Sequence, residues 1–190
     1  ENKDKEIIKE FVGIGLFISK NGDIVAQKQD FVTEKDTVKK DYYISFNEKE
    51  IKVILNNNLI ENNFVFLKTE ELKEKIVYNS IEIENSNNLQ LGQSVIVLGG
   101  ETSDMLLTGI ISNLTRDKII ITEATADKKA EEKIIVTRIE TNLTPEKSMT
   151  ALINLSGKVI GIKSDNWFFT PINAVQEAFI SNNLTETAKE

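Results

Sequence analysis

The sequence predicts an all-β protein, a sandwich or a pair of small barrels, closed by one helix near the C-terminal end. Three observations predict it. Apolar residues come in short runs rich in β-branched and aromatic side chains, bounded by Gly, Asn and Asp. Roughly six such strand-sized runs fall on each side of residue 87. Residues 172–184 show helical spacing, through Ile172, Val175, Ala178 and Phe179.

The elements follow in order. Residues 5–11 offer a short N-terminal helix. A first hairpin joins 15–19 to 23–26 through Asn21-Gly22, a pair suited to a turn in which both residues take positive φ. Strands at 42–46 and 51–55 flank a polar turn at Asn47-Glu48-Lys49, and 64–67 reads as a buried strand. The charged stretch 69–75 reads as a helical turn or a loop. Beyond the polar stretch 84–88, strands are expected at 94–98, 106–112, 118–122, 133–139, 151–154 and 159–163, with a tight turn at Ser156-Gly157. The acidic run holding Glu123, Asp127, Glu131 and Glu132 has no metal-loop spacing and reads as a solvated connection. Pro171 opens the closing helix, where an early proline is tolerated. Periodicity alone leaves a lipocalin-like barrel or two SH3-like barrels equally open.

Composition narrows function mainly by exclusion. The chain has 190 residues, 40% of them hydrophobic and 28% charged, enough to bury a core unaided. A net charge of -7 disfavours nucleic acid and anionic membranes, which are bound through Lys and Arg. No run approaches the length of a membrane span. The N-terminus lacks Met and a signal peptide and reads as a cut inside a longer precursor. There is no Cys and no His. Cys-based and imidazole-based chemistry is therefore closed, including Ser-His-Asp hydrolysis and His-ligated zinc. No cofactor and no metal are expected.

Several segments, read in order, resemble the protease domain of the HtrA/Deg family. Gly13-Ile14-Gly15-Leu16-Phe17-Ile18-Ser19-Lys20-Asn21-Gly22 is similar to its opening hairpin, and Asn63-Phe64-Val65-Phe66-Leu67 to the strand headed by its catalytic Asp. Leu91-Gly92-Gln93-Ser94-Val95-Ile96-Val97-Leu98-Gly99 and Thr108-Gly109-Ile110-Ile111-Ser112 resemble the entry to its second barrel. Ala151-Leu152-Ile153-Asn154 through Val159-Ile160-Gly161-Ile162 is similar to the strands after the nucleophile, and Phe169-Thr170-Pro171-Ile172 to the start of its closing helix. The resemblance spans about residues 11 to 180 and leaves no stretch for a PDZ module. It implies a chymotrypsin/trypsin-like double six-stranded β-barrel with a C-terminal helix. The implied organisation is an extension over 1–10, an N-terminal barrel over 11–87, a C-terminal barrel with the helix over 88–184, and a tail over 185–190.

Carried over residue by residue, the resemblance places the family's His at Gln29 (or Asp30 if the loop slips by one), its Asp at Asn63 and its nucleophile at Ser148. The flanks there are Glu146-Lys147 and Met149-Thr150, where the family carries glycines around the nucleophile. An amide at position 29 is no base near neutral pH. Glu146 brings a Cβ and a negative charge to the oxyanion region, where the family has glycine. Loss of triad members removes roughly 10⁴- to 10⁶-fold in rate.

These departures imply a pseudoprotease: an extracytoplasmic module that binds or senses a protein or peptide, with no nucleic acid and no direct membrane insertion. Its candidate binding rim is formed by loops 27–30, 144–149 and 164–167, with Lys28, Asp30, Lys147, Asp165 and Trp167 as the candidate contacts. Two alternatives stand beside it: a serine protease using Ser148 with an unconventional base, and a structural spacer in a membrane-anchored signalling ectodomain. Phe169 reads as packing between barrel and helix.

Overall fold

The computed structural model describes residues 13–27, 41–56, 63–70, 76–100, 105–122, 131–144, 149–164 and 168–187. In chain order the elements are β1 (Leu16–Phe17), β2 (Asp23–Gln27), β3 (Tyr42–Phe46), β4 (Lys49–Asn56), β5 (Phe64–Thr69), β6 (Ser94–Gly99), β7 (Met105–Thr122), β8 (Glu131–Thr141), β9 (Met149–Asn154), β10 (Val159–Lys163), β11 (Phe169–Pro171) and α1 (Ile172–Thr187). A single 3-10 turn, Ser86–Asn88, precedes β6.

The strands form two antiparallel units. The first is a curled half-barrel sheet of five strands, in the order β1-β2-β5-β4-β3. The second is a closed barrel in the order β10-β11-β8-β7-β6-β9. The trypsin-like architecture is therefore present, with five described strands where six were expected in the first unit. Its edges are the two-residue β1 and β3, whose burial alternates between intermediate and exposed.

The two central strands β2 and β5 are buried on both faces, and period-two alternation sorts their side chains. Val25 of β2 with Phe64 and Phe66 of β5 point to the seam with the barrel, where they meet Val159, Ile162, Ile172 and Val175. Ile24, Ala26, Val65 and Leu67 point to the other face and pack with Val53. The barrel has its own core of Val95, Val97, Ile111, Ile139, Leu152, Ile160 and Phe169. The helix lies over the seam as its spacing predicts: Ile172 and Val175 are buried, and the Phe179 ring sits 5.4 Å from that of Phe66. Phe169 is fully buried between β8 and β10, as expected for a packing residue.

Two local readings are corrected. The first hairpin forms, with Leu16 opposite Val25, but only Gly22 takes a positive φ there, at 83°. Ser19 Oγ instead accepts from the amides of Asn21 and Asp23, making a longer turn closed by the Ile18 N–H on the Asp23 carbonyl at 2.9 Å. The tight turn with two positive φ values occurs one hairpin later, at Asn47 (49°) and Glu48 (62°). The second correction concerns 106–112 and 118–122, which are parts of one continuous strand, β7. The polar stretch between them remains extended because it pairs along β8.

Candidate functional site

At one end of the seam, the ends of five strands come together. β2 finishes at Gln27, whose register partner is Phe64, so Gln27 and Asn63 share one end of the sheet. β10 finishes at Lys163, which pairs with Phe169 of β11. Ala151 of β9 lies opposite Ile162, so the start of β9 is beside Lys163 and Ser164. The sheet end faces the barrel end through direct hydrogen bonds.

Two carboxamides make those bonds, to consecutive carbonyls. Gln27 Nε2 donates to the Lys163 carbonyl at 2.7 Å, and Asn63 Nδ2 donates to the Ser164 carbonyl at 2.9 Å. Gln27 and Lys163 are buried, at 1% and 0% exposure, so these polar side chains belong to the interior. The Ser164 N–H donates to the Phe168 carbonyl at 3.2 Å, and the Arg138 guanidinium lies 4.3 Å from the centre of the Phe168 ring. Ser164 Oγ is buried and meets no hydrogen-bond partner among the described residues. A carboxamide neither takes nor gives a proton near neutral pH. What Gln27 and Asn63 supply is a pair of oriented N–H donors that lock the sheet onto the barrel.

Of the residues placed in the degenerate triad from the sequence, Asn63 is described and sits in this cluster. Gln29 and Ser148 lie outside the described residues, as do Glu146, Lys147, Lys28, Asp30, Asp165 and Trp167. Sequence reasoning missed Lys163. A lysine at the end of an apolar strand reads as the point where the strand surfaces, yet Lys163 is fully buried here. Among the described residues no three His, Cys, Asp or Glu side chains gather to hold a metal ion, and no helix is long and apolar enough to cross a membrane.

A separate depression of about 320 Å³ is lined by Glu84, Gln93, Ser94, Asn154, Leu155 and Ser156, at the opposite end of β9. Its central side chain is already engaged. Asn154 Nδ2 donates to Glu84, and its Oδ1 accepts from the Ser156 and Lys158 amides at 2.9 and 3.0 Å.

Comparison with known proteins agrees with this architecture. No family model matches the chain. A "Serine protease HtrA-like" of Staphylococcus aureus is 31% identical over 110 residues, which is 51% of this chain and 14% of that protein. A protein of the same description from Staphylococcus haemolyticus is 31% identical over 88 residues, 44% of this chain and again 14% of the relative. The chain thus spans a small part of the length of the relatives it matches. The crystal structure of Deg5 superposes with a TM-score of 0.64 at 20% identity, covering 86% of this chain and 79% of Deg5. The HtrA-type protease AlgW, solved with a decapeptide, superposes with a TM-score of 0.62 at 16% identity, covering 90% of this chain and 51% of AlgW. The sheet, the closed barrel, the closing helix and the staphylococcal relatives point the same way: the chain has a trypsin-like fold and resembles HtrA-like serine proteases over about half of its length.

Proposed function

We propose that this chain is a catalytically inactive trypsin-like domain, divided into barrels at 11–87 and 88–184, that works outside the cytoplasm as a protein- or peptide-binding or sensing module. The observation that carries the reading is at Asn63. Where the family resemblance calls for a carboxylate to orient a histidine, this chain has an amide whose N–H is committed to the Ser164 carbonyl. The chain also has no histidine to orient. A hydrolase built on Ser148 would then lack both the base and the group that steers it.

A binding role fits what remains. Function on a shared fold resides in its sites, and loops at the ends of rigid strands are where recognition surfaces arise. The candidate rim of Lys28, Asp30, Lys147, Asp165 and Trp167 carries charges of both signs beside an aromatic, which suits a polypeptide better than a polyanion. A structural neighbour solved with a decapeptide favours the same class of partner.

One observation favours a second reading. Lys163 is completely buried at the end of β10, beside the start of β9, the strand that follows Ser148. A lysine removed from water is the residue type that serves as base in Ser-Lys hydrolases. Casein hydrolysis by wild type, Ser148→Ala and Lys163→Met separates the two readings. The binding role predicts background rates in all three. Hydrolysis lost in both variants would establish the enzyme instead.

A further inference from the structure

Beyond the barrel wall, β7 and β8 continue together as a two-stranded ribbon. β6 accompanies β7 only from Met105 to Ile110, and β11 meets β8 at Phe169 opposite Ile139. Among the described residues, the ladder beyond these points pairs β7 with β8 alone, out to Thr122 opposite Glu131. The two strands repeat one pattern, Lys118-Ile119-Ile120-Ile121-Thr122 and Lys133-Ile134-Ile135-Val136-Thr137. Ile120, Ile121 and Ile134 are 66%, 54% and 55% exposed, a concentration of apolar surface unusual on a free ribbon.

The two edges of the ribbon differ. On the β8 side, the Val136 N–H points away from β7 and donates to Asn87 Oδ1 at 2.8 Å. The Arg116 guanidinium bonds the Asn87 and Leu89 carbonyls at 3.1 and 2.6 Å. The 3-10 turn therefore covers that edge. The outward Val136 N–H also fixes the phase of the ladder. Arg116–Val136, Lys118–Ile134 and Ile120–Glu132 are pairs whose backbone groups face away from the partner strand. Lys118 and Ile120 thus present their N–H and C=O groups along the β7 edge, where no described residue bonds them.

We infer that this β7 edge pairs with the same edge of a second copy of the chain, antiparallel about a two-fold axis at Ile120. The segment is complementary to itself in that register. Within 118–122, Ile120 stands opposite Ile120, Ile119 opposite Ile121, and Lys118 opposite Thr122, so isoleucines face isoleucines and no like charges oppose among these described residues. An axis at Lys118 would set two ammonium groups against each other, and one at Ile119 would face Asp117 and Lys118 with isoleucines. The Lys118 charge is already held by Glu132 of its own ribbon at 2.9 Å. Two ribbons joined in this way make a four-stranded sheet, a contact small enough to form reversibly.

Sedimentation velocity on the 190-residue chain over a range of concentrations tests the pairing. Wild type is expected to shift from monomer to dimer with concentration, and Ile120→Pro to stay monomeric. That proline removes an outward N–H that no described residue bonds, a position that edge strands tolerate. The absence of cysteine allows a second readout that does not depend on the proline variant folding. Ile120→Cys is expected to give an intermolecular disulfide under mild oxidation, since opposed residues in such a pair lie within bridging distance. Ile180→Cys, at another exposed isoleucine, on α1, is expected not to. A wild type that is monomeric throughout would overturn the inference. So would a dimer that survives Ile120→Pro, or one that cross-links no better through position 120 than through 180.

Discussion

The side-chain amide of Asn63 donates to the main-chain carbonyl of Ser164 across 2.9 Å, tying the first residue before β5 to the residue after β10. The partners are 101 residues apart in sequence, so the bond exists only when sheet and barrel are docked. It defines what this end of the seam does: an amide donor holds a backbone acceptor where a carboxylate would have to point elsewhere.

Asn63→Asp should therefore destabilise the fold as well as fail to restore chemistry. The substitution replaces a donor with a charged acceptor facing a carbonyl, at a cost of about 1–3 kcal/mol, while Asn63→Ala costs about 1 kcal/mol. Urea denaturation of both variants checks the order. An Asn63→Asp protein as stable as wild type would contradict it. The double variant Gln29→His with Asn63→Asp should still leave casein intact, because Glu146 and the missing glycines remain.

Gln27→Leu should cost about 1–3 kcal/mol by stripping the buried Lys163 carbonyl of its 2.7 Å donor. The same denaturation experiment reads it. A neutral result would mean that another group takes over the carbonyl.

Gly22 and Gly92 provide a paired test of the turn geometry. Both have positive φ, at 83° and 78°. A Cβ at Gly22 would lie 2.0 Å from Thr69 Oγ1, whereas one at Gly92 meets nothing within 4 Å. Gly92→Ala should cost about 1 kcal/mol for the backbone conformation alone. Gly22→Ala should cost clearly more, visible as the larger drop in thermal midpoint. Equal losses would place the cost in φ only.

On β4, the hydrogen bond and charge of Asp41 hold the Lys52 amine above its ordinary value near 10.5, with its Nζ 3.1 Å from the carboxylate. A raised folded-state value means that the pair stabilises fully below about pH 10 and loses its contribution as pH rises through the folded value. Asp41→Asn should lower the Lys52 titration midpoint in a side-chain NMR titration. An unchanged midpoint would show that the pair does not persist in solution.

If the candidate rim binds peptide, decapeptides selected against the chain from a random library should lose about tenfold in affinity with Trp167→Ala or Lys147→Glu, or about 1.4 kcal/mol by calorimetry. Undiminished affinity in both folded variants would place binding elsewhere.

Much of the fold is legible in the sequence because local pattern and tertiary role agree there. The run 159–163 is apolar between two turn signals and forms β10 with those bounds. The helical spacing from Ile172 marks the face that α1 buries. β7 is misread as two strands because Asn113, Thr115 and Asp117 are polar, while a ribbon paired along its length needs no apolar alternation to stay extended. The site is less legible. Gln27 and Lys163 look like solvated strand ends, and their burial depends on two units meeting 136 residues apart. What the sequence does show is chemical: the missing histidine, and the amide at Asn63.

The claim of inactivity is tested most directly by incubating the chain with a fluorophosphonate probe and measuring Ser148 modification by mass spectrometry, with an active trypsin-like protease as reference. A hydroxyl without a base should remain unmodified under conditions that label the reference to completion. Stoichiometric labelling of Ser148, abolished in Ser148→Ala, would contradict the claim.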